Sequence, residues 1–285
     1  MDRIRSEDAI GAKGRPFTGA EYLKSLRDGR EVYVYGERVK DVTTHPAFRN
    51  AARSIARLYD ALHDGKTKDV LTCPTDTGST GFTHKFFRAA RSRGGPHRAT
   101  RRHRLLGTRV LRLDRALAGL QGVADEYAWR EFRFLRQVRR KREGMVPPRA
   151  RAWYRRAQEN VLFMNHAIVN PPVDRAKPVD QVKDVFINIQ KETDAGIYVS
   201  GAKVVATASA LTHYNFLGQN AAVPLHDTDL AVMFIAPMNA PGVKLFCRTS
   251  YEMTASVMGT PFDYPLSSRF DENDAIFVFD NVFVP

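Results

Sequence analysis

The clearest periodicity in the chain runs through "HPAFRNAARSIARLYDALHDG", where Phe48, Ala51, Ala52, Ile55, Leu58, Tyr59 and Leu62 fall on one face of a helix. Pro46 stands in an early position and Gly65 supplies the stop. A shorter helix is predicted in "FTGAEYLKSLRDGR" and ends near Gly29. There Thr18 and Glu21 have the spacing at which a hydroxyl and a carboxylate satisfy each other's free backbone amides. "REVYVYGERV" alternates as a strand does. "CPTDTGSTGFTHKFF" is so rich in Gly, Ser and Thr that it reads as one long ordered loop. Helical spacing returns in "ARAWYRRAQENVLFMNHAI" at Trp153, Ala157, Val161, Leu162 and Met164, until Pro171 and Pro172 remove amide donors and end it. That reading puts His166 where a helix turns into a loop.

Beyond about residue 180 the pattern changes to strands. "DVFINIQ", "GIYVSGAKVVATAS", "YNFLG", "LAVMFIAP", "VKLFCR" and "AIFVFDNVFVP" are rich in Val, Ile, Phe and Tyr, with turn residues such as Asp194, Ala195 and Gly196 between them. The fold class predicted is α+β: a helical domain over residues 1–175 and a β domain, barrel or sandwich, over 176–285. "NPPVDRAKPVDQ" is the connector. Junctions between domains favour ligand clefts, which makes His166 a candidate. A lone histidine at a helix end is, on residues alone, more often a cap or a satisfied core residue.

Composition adds exclusions. The two cysteines, Cys73 and Cys247, belong to no Cys/His ligand spacing, so neither a metal site nor a disulfide framework is expected, and a reducing cytoplasm fits. "MDRIRSEDAI" has no apolar signal region, and no run approaches the roughly 20 apolar residues of a membrane span. The net charge of +13 invites a nucleic-acid reading, but its distribution is local. Residues 93–149 carry 16 Lys and Arg against 5 Asp and Glu, which leaves only +2 for the rest. A basic, non-enzymatic nucleic-acid-binding module would use that segment, with Tyr127, Trp129, Phe132 and Phe134 interleaved for base stacking.

"NHAIVNPPVDRAKP", "GAKVVATASALTHYNF", "APGVKLFCR" and "DYPLSSRFDENDAIFVFDNVFVP", in this order, resemble the 4-hydroxyphenylacetate 3-hydroxylase family. The start "TGAEYLKSLRDGREVYVYGERVKDVTTHPAFRNAARSIARLYD" is similar to that of the same family. The resemblance covers residues 15–92 and 150–285. It implies an acyl-CoA-dehydrogenase-like fold with a helical N-terminal domain and a β middle domain. It also implies reduced FAD supplied by a separate NAD(P)H:flavin reductase, O2 as co-substrate, and ortho-hydroxylation of a small phenol. The family's substrate-contacting histidine matches His166. Its flavin-contacting positions match Pro172, Val173, Asp174 and Arg175 in "PVDR" and Thr207 in "VVATAS", and Asn220 lies near a substrate-loop position. On residues alone Arg175 reads rather as a surface ion-pair partner of Asp174 or Asp180, and Thr207 is just a strand threonine.

The chain departs from the family twice. Relatives continue into a C-terminal four-helix bundle that closes the site and builds a homotetramer. The expectation is therefore an incomplete, inactive chain whose tetramer is doubtful. Relatives also carry, in place of the Arg-rich segment, a helix-loop whose Arg and Tyr contact the phenol. Codons permitted for Leu105–Gly122, read one base out of frame, spell "SWARVSYGWIGRSPDYK", which matches that missing string. A frameshift over 93–149 accounts for both the lost motif and the arginine excess, and the gene sequence across codons 92–150 tests it.

Overall fold

The computed structural model describes residues 14–87, 148–174, 176–219, 228–269, 271 and 273–285. In chain order the helices are α1 (Gly19–Ser25), α2 (Arg49–Ala61), α3 (Lys68–Leu71), α4 (Pro148–Asn160) and α5 (Tyr251–Met258). The strands are β1 (Glu31–Val34), β2 (Glu37–Arg38), β3 (Thr72–Pro74), β4 (Phe82–His84), β5 (Met164–Ala167) and β6 (Asn188–Thr193). They continue as β7 (Gly196–Lys203), β8 (Tyr214–Leu217), β9 (Phe234–Pro237), β10 (Val243–Cys247) and β11 (Ala275–Val284). Two compact units result, Met1–Ser25 with Ala52–Phe163 and Leu26–Ala51 with Met164–Pro285.

In the first unit the reciprocal cap of α1 forms as its spacing predicts. Thr18 N donates to Glu21 Oε2 at 2.8 Å and Glu21 N donates to Thr18 Oγ1 at 3.2 Å. The helix ends at Ser25, short of Gly29, where the serine hydroxyl takes the Tyr22 carbonyl at 2.6 Å. Gly19 cannot carry a side chain: its amide donates to Asp60 Oδ1 at 2.7 Å, and a Cβ would lie 2.5 Å from the Ala56 carbonyl oxygen. Tyr22 stacks on Tyr59 with ring centroids 4.8 Å apart, and both rings are buried. The predicted loop at 73–87 needs correction at its ends, since Cys73 pairs with Thr83 and Pro74 with Phe82, leaving only 75–81 as loop. Thr and Phe there suit a short pleated pair.

The larger correction concerns α4. It stops at Asn160 rather than running on to His166. Val161 adopts a left-handed φ of 53°, and Leu162 N donates back to the Ala157 carbonyl at 3.2 Å, which closes the helix. The Tyr59 hydroxyl donates to the Val161 carbonyl at 2.6 Å and holds this unusual valine in place. The apolar run that follows is therefore released to become a strand.

In the second unit a six-stranded sheet has the order β2-β1-β10-β11-β7-β6, and a three-stranded sheet the order β5-β8-β9. Strand β1 pairs in parallel with β10, Val32 opposite Leu245, so a segment that sequence placed among the helices lies inside the larger sheet. Strand β5 pairs in parallel with β8, His166 opposite Phe216. Phe234 of the smaller sheet meets Phe279 of the larger edge to face at 5.6 Å. With Val32, Leu245 and Phe277 fully buried, each such side chain contributes roughly 2 kcal/mol of apolar burial. Helix α5, unforeseen in sequence, is capped by Ser250, whose side chain accepts from Met253 N.

Candidate active site

His166 and Thr207 both lie in the second unit, and one side chain joins their segments. Asn165, buried between them, accepts from the His166 amide through Oδ1 at 2.8 Å and donates from Nδ2 to the Thr207 carbonyl. Strand pleating explains the division of labour. Consecutive residues on β5 point to opposite sides, so Asn165 and His166 face different ways; Asn165 is buried and His166 half-buried. Burial holds the His166 imidazole below its usual pKa of 6.5, which keeps it neutral at pH 7.

Thr207 occupies a distorted loop after β7. Val205 and Ala208 on either side have left-handed φ values of 57° and 56°. Two backbone bonds hold the loop in place, Ala206 N to the Ala275 carbonyl at 3.1 Å and Ala208 N to the Asn273 carbonyl at 2.9 Å. The Thr207 hydroxyl donates to Asp274 Oδ1 at 2.5 Å. Its proton is thereby committed, and the oxygen is left to act as an acceptor.

Behind Asp274 stands Arg248. Its Nε lies 3.7 Å from Asp274 Oδ2, its Nη2 donates to Asp271 Oδ1 at 2.7 Å, and its guanidinium lies 3.6 Å from the Tyr251 ring centre. Burial works against this charge, but the hydrogen bond and charge of Asp271 more than offset it and hold the guanidinium above its usual pKa. Asn165, Asp274, Arg248 and Asp271 all escaped the sequence reading. Their contacts with Thr207 and between Arg248 and the 271–274 stretch join segments well separated along the chain.

Of the remaining predicted residues, Pro172, Val173 and Asp174 form a largely exposed loop after β5, and Asp174 Oδ1 accepts from the Ala176 amide at 3.0 Å. Arg175 and Asn220 lie outside the described residues, as does the Arg-rich segment up to residue 147. Among the described residues no cluster of three His, Cys, Asp or Glu side chains is arranged to hold a metal ion, and no helix is long and apolar enough to cross a membrane.

Residues 18–285 match the family model described as "4-hydroxyphenylacetate 3-hydroxylase N terminal". The chain belongs to this family. It is 58% identical to the 4-hydroxyphenylacetate 3-monooxygenase oxygenase component of Pseudomonas aeruginosa, over 99% of this chain and 53% of that protein. It is 53% identical to the 4-nitrophenol 2-monooxygenase oxygenase component of a Rhodococcus species, over 98% of this chain and 52% of that one. Among solved structures it is similar to the oxygenase component of 4-hydroxyphenylacetate 3-monooxygenase complexed with FAD and 4-hydroxyphenylacetate. There the TM-score is 0.74 at 30% identity, over 94% of this chain and 54% of the other. The fold is thus α+β of the acyl-CoA-dehydrogenase type. The chain spans about half the length of the curated relatives it matches. None of these likenesses supports a nucleic-acid-binding module.

Proposed function

We propose that the chain forms the flavin- and phenol-binding part of the oxygenase component of a two-component phenol ortho-hydroxylase acting on 4-hydroxyphenylacetate or a close analogue. The observation that carries this reading is the chain of hydrogen bonds from His166 through Asn165 to the Thr207 carbonyl, with the Thr207 hydroxyl in turn bonded to Asp274. In a member of this family, it ties a substrate-type histidine to a flavin-type threonine.

The residues suit FAD. Because the Thr207 hydroxyl donates to Asp274 Oδ1 at 2.5 Å, its oxygen offers a lone pair to a ligand N–H, the group that a reduced isoalloxazine presents at its central ring. The exposed loop Pro172–Asp174, continuing into Arg175, would line the rest of the cofactor. FAD, when bound in its reduced state, supplies the electrons that activate O2. The neutral His166 imidazole accepts a hydrogen bond from the phenol hydroxyl and so fixes which ring carbon is presented. A separate flavin reductase belongs to this reading, in keeping with the words "oxygenase component" in the relatives' names. The two units correspond in it to the helical and middle β domains of an acyl-CoA-dehydrogenase-like subunit, and a cytoplasmic setting fits.

The test is a pair of titrations of the chain, with FAD and then with 4-hydroxyphenylacetate. Thr207→Val should weaken FAD binding about tenfold, and His166→Ala should weaken phenol binding by a similar factor while sparing FAD. Since burial lowers the His166 pKa below 6.5, phenol affinity should stay level from pH 8 to that value and fall only at more acid pH, as the acceptor becomes a cation. Wild-type affinities in both variants would overturn the reading.

A further inference from the structure

Lys203 closes β7 with only 1% of its surface exposed, a position where a lysine is seldom found. Its ammonium meets oxygens alone: Asn170 Oδ1 at 2.6 Å, Gln219 Oε1 at 2.9 Å and the Ile168 carbonyl at 3.4 Å. These three acceptors come from two separate stretches of chain. Ile168 and Asn170 lead from β5 into Pro172–Asp174, and Gln219 follows β8 and precedes Asn220. Gln219 passes the connection on, since its Nε2 donates to the Leu230 carbonyl at 2.8 Å. Backbone pairing of Val169 with Val204 brings the first stretch alongside the lysine.

We infer that Lys203 is a positioning residue of the proposed site: its ammonium ties the segment that leads into Pro172–Asp174 to Gln219, just beyond β8. The inference rests on the function proposed above. Three convergent oxygens use all three donors of an ammonium, whereas a neutral amine has two. A lysine kept only to fill space would be better replaced by an apolar chain, because burying an ammonium without an anion is costly. Among the described residues no carboxylate bonds to it. Neither His166 on β5, Asp174 in the loop, Lys183 and Asp184 beside β7, nor Asp229 beside Leu230 shares a hydrogen bond with it among the described residues. Burial accordingly brings its pKa from 10.5 down to about 8. The tie is therefore complete below that pH and loses one donor above it. His166 titrates below this range, and desolvation pushes the half-buried Cys247 thiol up to about 12, so neither coincides with it.

Hydrogen exchange, corrected for intrinsic base catalysis, provides a test that needs no ligand. In the wild-type chain, amides of 168–174 and 217–219 should exchange about tenfold faster at pH 9 than at pH 7, while those of β7 and β11 stay constant. Lys203→Met should show the fast rate at both pH values. Equal rates in the two segments at both pH values, or an equal rise in β7 and β11, would overturn the inference. If Lys203→Met does not fold, the wild-type series decides alone. FAD titration then separates the two ideas. If Thr207→Val weakens binding and Lys203→Met does not, positioning by Lys203 is overturned and the functional reading stands. If neither weakens it and His166→Ala also leaves phenol binding unchanged, the functional reading itself is overturned.

Discussion

Two buried cations of the second unit solve the same problem in opposite ways. The Arg30 side chain, 3% exposed, clasps the Asp28 carboxylate with Nε at 2.8 Å and Nη2 at 2.7 Å, then donates from Nη1 to the carbonyls of Ala210 and Thr212 at 2.9 and 2.8 Å. Lys203 is as deeply buried but has neutral oxygens only. The arginine is a closed structural knot: charge meets charge, and the planar fork matches its acceptors. The lysine bonds to no carboxylate among the described residues and stands next to the segment that leads into Pro172–Asp174. The difference teaches where to look for function, since a fully paired buried charge fixes architecture and an unpaired one retains a reason to titrate.

The comparison breaks most visibly at Asp28. Asp28→Asn keeps the shape of the side chain and its oxygen acceptor but leaves the Arg30 guanidinium buried without an anion. Removing one partner of a buried pair costs about 3–5 kcal/mol, and that loss is expected in urea unfolding at pH 7. A loss under 1 kcal/mol would mean that the two carbonyls alone satisfy the arginine.

The next effect sharpens the other side. The folded pKa of Lys203, about 8, lies below its ordinary 10.5, so between those values the unfolded chain binds more protons and stability rises with pH. The cost of burying the ammonium is complete below pH 8 and relieved by 10.5. Its size is roughly 3 kcal/mol. The stability gap between wild type and Lys203→Met should therefore move toward wild type by up to that amount from pH 7.5 to 10.5, since other titrations cancel in the difference. Parallel pH profiles would show that the lysine does not lose its proton in the folded chain.

Legibility from sequence follows the range of the interactions. The α1 cap needs residues three apart, and the apolar face of α2 repeats within one turn, so both could be read directly. The strands after 180 were legible from β-branched and aromatic content, and the resemblance is what proposes His166 and Thr207 as candidates. What could not be read depends on distant partners. The run "LFMNHAI" suits a helix or a strand, and only pairing with β8 and the left-handed Val161 decide for a strand. The pairing of β1 with β10 and the contacts of Asn165 and Asp274 likewise join remote segments. Lys203 did leave a trace. Alternation on β7 puts it on the same side as Val199, which is fully buried, so a lysine at that register signals an interior cation.

The smallest effect calibrates the other two. Lys244 and Asp280 form an ion pair at 2.9 Å, much the same length as the contacts of Arg30, but Asp280 is 65% exposed and water surrounds the pair. The hydrogen bond to Asp280 and its charge raise the Lys244 pKa, so any stabilisation is present at neutral pH and disappears only as pH climbs past 10.5. In high dielectric, with two mobile side chains to order, such a pair contributes little, and salt screens what remains. Lys244→Met should leave the urea midpoint unchanged at 0.1 M salt, and adding 1 M salt should not separate variant from wild type. A measurable loss that salt abolishes would show that the pairing of β10 with β11 depends on this charge. Distance would then predict energy as well as burial does, and the contrast between Arg30 and Lys203 would lose its physical basis.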